Sequence, residues 1–318
     1  MRYLMMLALG LSLLGAGCFP WPRMNDESRP AVAVPATVRP TTPPPAAPMI
    51  AESDDAVAVR NVEIKQNADQ KGLYKCTVAI TYPQFVVSSS TVNAESLNKI
   101  NLAIAERAVS STFGPQSSKA DEMSIKIAAG GYVKDCFAER MRMSKQFADY
   151  PRDSEWYKNM NVKVEYQGHG LASLSYYYEA YEGGAHPGHM TTYMNVLLKD
   201  GSPFTLKDVI EPKNLKDFVR AEKQQILDRS QGDENILFPE NESDFKKLVA
   251  DTSTSPVEEQ LAAYGGFNSF YLTSTAIITH YNEYEIAPYV SGAQEAVMAY
   301  DEIAPWIKSD GLLGFLIK

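Results

Sequence analysis

Residues 162–179, Val-Lys-Val-Glu-Tyr-Gln-Gly-His-Gly-Leu-Ala-Ser-Leu-Ser-Tyr-Tyr-Tyr-Glu, decide the fold class. Val162, Val164 and Tyr166 alternate with Lys163 and Glu165, and Ala172, Leu174, Tyr176 and Tyr178 alternate with Ser173, Ser175, Tyr177 and Glu179. A period of two is the mark of a strand, because successive side chains point to opposite faces. A third run, Thr191 to Leu198, ends in the turn-forming Lys199-Asp200-Gly201. The three runs predict an antiparallel meander with one covered face.

Outward from this centre, strands and helices fall in separate runs. Val57 to Ile64 and Leu73 to Phe85 are predicted strands joined by the polar turn Asn67 to Gly72. In the second of them Cys76, Val78, Ile80 and Tyr82 alternate with Thr77, Ala79 and Thr81. A helix follows over Ala94 to Phe113, with Leu97, Ile100, Ile104 and Ala108 on one face. A second, over Ala120 to Phe147, is predicted to break at Gly130 and Gly131. Downstream, Thr205 and Asp208 have capping-box spacing for a short helix. Pro212 opens a longer one, whose apolar face of Leu215, Phe218, Val219 and Ile226 is interrupted by Glu222. Asn268 to Tyr281 reads as one strong strand, and Ala293 to Trp306 as a strand or strand-helix unit. The sum is an α+β chain without internal repeats: antiparallel sheets with helices packed on one face, in two intimately associated modules, 57–150 and 151–318.

The N-terminus predicts export. Arg2, the apolar run Leu4 to Leu14, the small residues Gly15 to Gly17 and then Cys18 follow the order of a secretory signal, 1–17. The run is shorter than the ~20 residues a membrane span needs. Cys18 after small residues matches a lipobox, although Gly15 stands where a Leu is usual; an ordinary cleaved signal is the competing reading. Lipidation at Cys18 predicts a membrane-anchored lipoprotein, at the outer membrane facing the periplasm or at the outer cell surface. Residues 18–56 hold Pro43 to Pro45 and six further prolines, a composition for a semi-rigid polyproline II tether. In an oxidising compartment, Cys76 and Cys136 are an even pair, read as a disulfide in preference to two buried thiols.

Hydrophobic residues make up 45% and charged residues 22% of the 318, enough for a substantial core. Formal net charge is −9, and −10 once Arg2 leaves with the signal. Such acidity argues against nucleic acid and anionic lipid head groups, and is compatible with a basic protein partner.

Two groups of residues invite a ligand. Glu182, His186 and His189 offer zinc-type donors, but Pro187 and Gly188 cannot hold the rings on one face. The reading preferred is therefore structural: Gly183 and Gly184 supply unusual backbone angles and His186 hydrogen-bonds a neighbouring strand. No metal and no other cofactor is expected. Alternation sends Tyr176 and Tyr178 to one face and Tyr177 and Tyr181 to the other, so one set is core and the other is either packed across strands or a rigid amphipathic surface. Pro288 and Tyr289 pose the same alternative at a loop or an edge strand. No catalytic set stands out: there is no Gly-x-Ser-x-Gly elbow and no phosphate-binding Gly loop.

Several segments in order carry a resemblance. Tyr181-Glu182-Gly183-Gly184-Ala185-His186, then Phe204-Thr205-Leu206-Lys207-Asp208-Val209, Tyr284-Glu285-Ile286-Ala287-Pro288-Tyr289 and Ala299-Tyr300-Asp301-Glu302-Ile303 resemble the domain of unknown function shared by RsiV-like anti-sigma factors and PdaC-like peptidoglycan deacetylases. Ile80-Thr81-Tyr82-Pro83-Gln84-Phe85 and Leu97-Asn98-Lys99-Ile100-Asn101 resemble the small domain that often precedes it. The resemblance implies an extracytoplasmic α+β module that works by binding; in RsiV-like proteins it receives lysozyme. Only Met1 to Tyr3 precede the apolar run, too little for a sigma-binding segment, and no length remains for a metal-dependent deacetylase domain. The expectation is a binding lipoprotein that recognises a lysozyme-like muramidase, as sensor or inhibitor, through Tyr177, Tyr181, Glu182, His186, His189, Pro288 and Tyr289. The alternative is a peptidoglycan or wall-glycan module, with or without weak hydrolase activity.

Overall fold

The structure, a computed structural model, describes residues 57–70, 73–87, 93–115, 121–230, 236–251 and 269–317. The predicted signal, Cys18 and the tether lie outside the described residues. The first half comprises β1 (Val57–Gln70), β2 (Leu73–Val87), α1 (Ala94–Phe113), α2 (Glu122–Gln146), β3 (Trp156–Gly168), β4 (Leu171–Tyr181) and β5 (Gly188–Leu197). The strands form one sheet in the order β1-β2-β3-β4-β5, drawn from both sides of residue 150. Every pairing is antiparallel except β2 with β3. That parallel pair follows from the connection: α1 and α2 form the long crossover that parallel neighbours require.

The alternation in sequence becomes the two faces of this sheet. Cys76, Val78, Ile80 and Tyr82 of β2, Met160 and Val162 of β3, and Ala172, Leu174 and Tyr176 of β4 pack with Leu97, Ile100 and Ile104 of α1 in one core. Asn101 docks α1 on the sheet by accepting from Phe85 N at 2.7 Å and donating to Phe85 O at 2.8 Å. The second helix does not break: α2 runs unbroken through Gly130 and Gly131. Each glycine costs about 1 kcal/mol relative to alanine, a modest amount beside what anchors the helix beyond them. Cys136 is disulfide-bonded to Cys76, with Cα atoms 6.2 Å apart. One turn on, the fully buried Arg140 donates to Lys75 O at 2.8 Å, Pro151 O at 3.1 Å and Ser154 Oγ at 2.9 Å, and also to Ser154 O. Its guanidinium lies 5.5 Å from the Trp156 ring centre.

The second half comprises α3 (Leu206–Val209), α4 (Leu215–Ser230), α5 (Pro239–Ala250), β6 (Phe270–Leu272), β7 (Ala276–Tyr281), β8 (Gln294–Ala299) and α6 (Tyr300–Ile303). Thr205 and Asp208 form the expected capping box, and a single 3-10 turn, Pro212–Asn214, leads into α4. The strand expected over 268–281 is instead a hairpin. Thr273 Oγ1 accepts from Thr275 N at 3.2 Å and Ala276 N at 3.0 Å, turning the chain between β6 and β7. β6, β7 and β8 make a three-stranded antiparallel sheet, with β8 followed by α6 as a strand-helix unit. The Gln225 side chain of α4 bonds Val297 O at 2.7 Å and Val297 N at 3.0 Å, covering the edge of β8. Glu222, which interrupts the apolar face of α4, is itself buried. Its Oε1 accepts from Thr279 Oγ1 at 2.9 Å and Tyr281 OH at 2.7 Å, and lies 3.3 Å from Lys223 Nζ. The Lys223 ammonium also bonds the Tyr281 hydroxyl.

The two sheets are joined by buried polar bonds. Ser173 donates to Asn195 Oδ1 at 2.5 Å and accepts from Leu272 N at 3.1 Å, while Asn195 Nδ2 donates to Phe270 O at 2.9 Å. The meander therefore has one covered face only beyond Ser175; the first half of β4 is buried on both. Among the described residues no helix is long and apolar enough to cross a membrane.

Candidate binding surface

At the far end of β4, past the residues buried on both faces, four of the candidate residues meet. The His186 ring stacks on Tyr289, with centroids 4.2 Å apart, and His189 meets the same ring edge-on at 5.4 Å. Tyr177 lies 6.1 Å from His189, and Tyr284 extends the cluster, 5.9 Å from Tyr289. Different elements supply these rings: β4 gives Tyr177, β5 gives His189, and the β7–β8 connection gives Tyr284 and Tyr289. His186 comes from the turn between β4 and β5, where Gly183 and Gly184 adopt φ of 96° and 110°, as their sequence context predicted.

Asn282 holds the two sides together. Its Oδ1 accepts from Thr191 N at 2.6 Å and its Nδ2 donates to Thr191 O at 3.0 Å, so one side chain pairs with the open edge of β5 as a neighbouring strand would. Ile286 and Ala287 are buried beneath the loop, and Pro288 precedes a 3-10 turn, Tyr289–Ser291. Pro288 thus shapes a loop rather than ending an edge strand.

The surroundings are acidic. Glu283 Oε2 lies 3.5 Å from His189 Nδ1, and His189 stands opposite Glu179 across β4 and β5. Partial burial, reinforced by the carboxylates of Glu179 and Glu283, pushes the Tyr177 phenol up. His186 does not reach a neighbouring strand, as its structural reading required: its Nδ1 lies 2.8 Å from Pro187 O and the ring is exposed. A carbonyl there makes Nδ1 the protonated nitrogen. Among the described residues no three His, Cys, Asp or Glu side chains gather as metal ligands.

The remaining candidates lie apart. Tyr181 donates to Gly184 O at 3.0 Å and its ring sits 6.4 Å from Tyr157. Glu182 ion-pairs with Lys158 at 3.8 Å. Tyr176 and Tyr178 face the helices, as alternation required, leaving Tyr177 exposed. Asn282, Glu283 and Tyr284 escaped the reading from sequence. The polar, aromatic run Tyr281-Asn282-Glu283-Tyr284 directly after an apolar strand was the signal that marked them.

The architecture is a two-sheet α+β fold. Residues 68–189 match the family model described as Deacetylase PdaC, and residues 207–301 match that of the protein family of unknown function DUF3298. A crystal structure of a DUF3298 family member from Bacteroides fragilis aligns with a TM-score of 0.56 and 19% identity, covering 82% of this chain and 97% of its own. A DUF3298 family protein from Pseudomonas aeruginosa aligns with a TM-score of 0.49 and 16% identity, covering 80% and 96%. No curated protein sequence matches the chain. The likeness to the B. fragilis structure is one of fold.

Proposed function

We propose that this is an exported, lipid-anchored binding protein of the cell envelope, and that the surface around Tyr177 and Tyr289 holds a basic, lysozyme-like muramidase, sensing or inhibiting it. The observation that carries this reading is the exposed ring cluster. Tyr284 is 60% and Tyr177 39% exposed, and Val290 beside them is 87% exposed. Tyrosines that are both rigid and accessible anchor protein partners at small entropic cost. Glu179, Glu283 and Glu285 around them, on a chain of formal charge −9, complement a basic partner and speed its approach. The signal-like residues 1–17 and Cys18 support export and anchoring, and the Cys76–Cys136 disulfide suits an oxidising compartment.

Calorimetric titration of the full chain with lysozyme, beside an assay of lysozyme activity, tests the reading. Saturable heat that falls at least tenfold in affinity with Tyr289→Ala supports it, and loss of muramidase activity marks an inhibitor rather than a sensor. Absence of heat removes this partner class. The second reading, recognition of wall glycan, draws on the same accessible tyrosine faces, which suit sugar rings. Co-sedimentation with insoluble sacculi tests it.

A further inference from the structure

We propose that the outer edge of β1 pairs antiparallel with the same edge of a second copy of this chain, joining two five-stranded sheets into one across a two-fold axis. β1 stands first in the order β1-β2-β3-β4-β5 and runs for 14 residues. One of its edges pairs with β2; along the other, no strand pairs among the described residues. The remaining edges of the two sheets all meet polar side chains. Asn282 bonds Thr191 on β5, Ser173 and Asn195 bond Leu272 and Phe270 on β6, and Gln225 bonds Val297 on β8. On β1 the corresponding contact among the described residues is confined to its first residue, where Val57 O accepts from Gln167 at 2.8 Å. A row of unpaired N–H and C=O groups of this length is a template for another strand. No proline interrupts it, and its one register shift comes at Ala68 to Gln70, next to the turn.

The side chains of β1 select both the occupant and its register. Val62 and Ile64 are buried in the core, so Asn61, Glu63, Lys65 and Asn67 point to the opposite side, and all four are exposed. Two copies aligned antiparallel with Ile64 facing Ile64 set Glu63 of each against Lys65 of the other, and Asn61 against Asn67. Directly opposed charges of unlike sign favour a strand pair, and the two-fold axis makes each pair twice. Shifting the alignment by one residue turns the core side of one copy toward the open side of the other. Shifting it by two, in either direction, sets Glu63 against Glu63 or Lys65 against Lys65. The chain carries −9 overall, but β1 itself is neutral, with Arg60 and Lys65 balancing Glu63 and Asp69. Repulsion from charges elsewhere is screened over about 8 Å at physiological ionic strength, whereas the Glu63–Lys65 pairs act at contact. Once paired, neither copy keeps an open β1 edge, so assembly closes at the dimer.

The test is sedimentation velocity of the full chain over a concentration series, comparing wild type with Lys65→Glu, with Glu63→Lys and with the double reversal E63K/K65E. Wild type is expected to pass from monomer to dimer and no further. Each single reversal opposes like charges at both symmetric pairs, and should weaken dimerisation at least tenfold with unchanged melting at dilutions where wild type is monomeric. The double reversal restores unlike charges in the same register and should regain the wild-type dimer. Wild type that stays monomeric at every concentration overturns the proposal. So does a dimer that the single reversals leave intact, or assembly that continues beyond the dimer. Single reversals that weaken the dimer without recovery in E63K/K65E overturn the antiparallel register.

Discussion

Breaking the Cys76–Cys136 bridge is expected to remove a large share of the stability of the folded region. The bridge closes a sequence separation of 60 residues, and spans from β2 to the far half of α2. Cross-linking restricts the unfolded chain, and the loop-entropy relation gives roughly 4 kcal/mol at 25 °C for this span. Domains are stable by about 5–15 kcal/mol in total, so the reduced protein sits close to its unfolding threshold. The clean comparison is guanidinium unfolding of the wild-type chain, oxidised against fully reduced, with free thiols counted by mass spectrometry after alkylation. Both sulfurs are buried, so reduction must be done on unfolded protein before refolding. The reduced form is expected to have a midpoint lower by the equivalent of about 4 kcal/mol, and a steeper denaturant dependence because its unfolded state exposes more surface. Superimposable curves from protein shown to be reduced would refute the reasoning, since the bridge would then restrict nothing that unfolding releases.

Glu222→Ala is expected to destabilise by about 3–5 kcal/mol, because it strands the buried Lys223 ammonium; the double change with Lys223→Met should recover part of that loss in the same denaturation assay. Arg140→Ala takes the fully buried guanidinium away from the carbonyls of Lys75, Pro151 and Ser154 that it bonds. At about 1–3 kcal/mol per unpaired group, it should cost 3 kcal/mol or more, and a shift below 1 kcal/mol would contradict that count. Burial pushes the phenols of Tyr176, Tyr193 and Tyr281 up. Above about pH 10 the unfolded state sheds these protons and the native state keeps them, so stability should fall as pH rises further. Lys223, which burial holds low, acts in the opposite direction below about pH 10.5; unfolding midpoints at pH 9, 10 and 11 that keep rising would show the lysine outweighing three tyrosines. Asn282→Ala unpairs Thr191 N and O at the edge of β5, so it should destabilise by about 1–3 kcal/mol and weaken partner binding several-fold by calorimetry.

Legibility followed the local physics. Strong alternation made β2, β3, β4 and β5 readable, since a one-residue slip would have put Cys76, Met160 or Tyr176 on the wrong face. The capping box at Thr205 and the face of α1 were readable for the same reason. What failed was settled by contacts distant in sequence or by a turn without the usual turn residues. Gly130 and Gly131 weaken α2 locally, but Cys136 and Arg140 fasten it to β2 from 60 and 65 residues away. The hairpin at Thr273 hides in an apolar run because a threonine hydroxyl, not a glycine or proline, makes the turn. The parallel pairing of β2 with β3 leaves no periodic trace, since both alternate as antiparallel strands do. At the candidate site, Tyr177, His186, His189 and Tyr289 were legible as residues, and their convergence was not, because it depends on how β5 meets the β7–β8 loop.

That convergence places the candidate surface between the two matched segments of the chain. His189 is the last residue matched by the first family model, and Asn282, Tyr284 and Tyr289 all lie within the second. The ring cluster therefore belongs to neither segment alone. It exists because Ser173 and Asn195 tie the five-stranded sheet to β6, and because Asn282 pairs with the edge of β5 at Thr191. Each link satisfies a backbone group at a strand edge, so separating the halves would leave those groups unpaired and expose the core that includes Leu171, Phe270 and Ile277. The two segments are bound to one another for the same physical reason that they make one surface: the polar side chains that close the strand edges are the ones that bring the rings together.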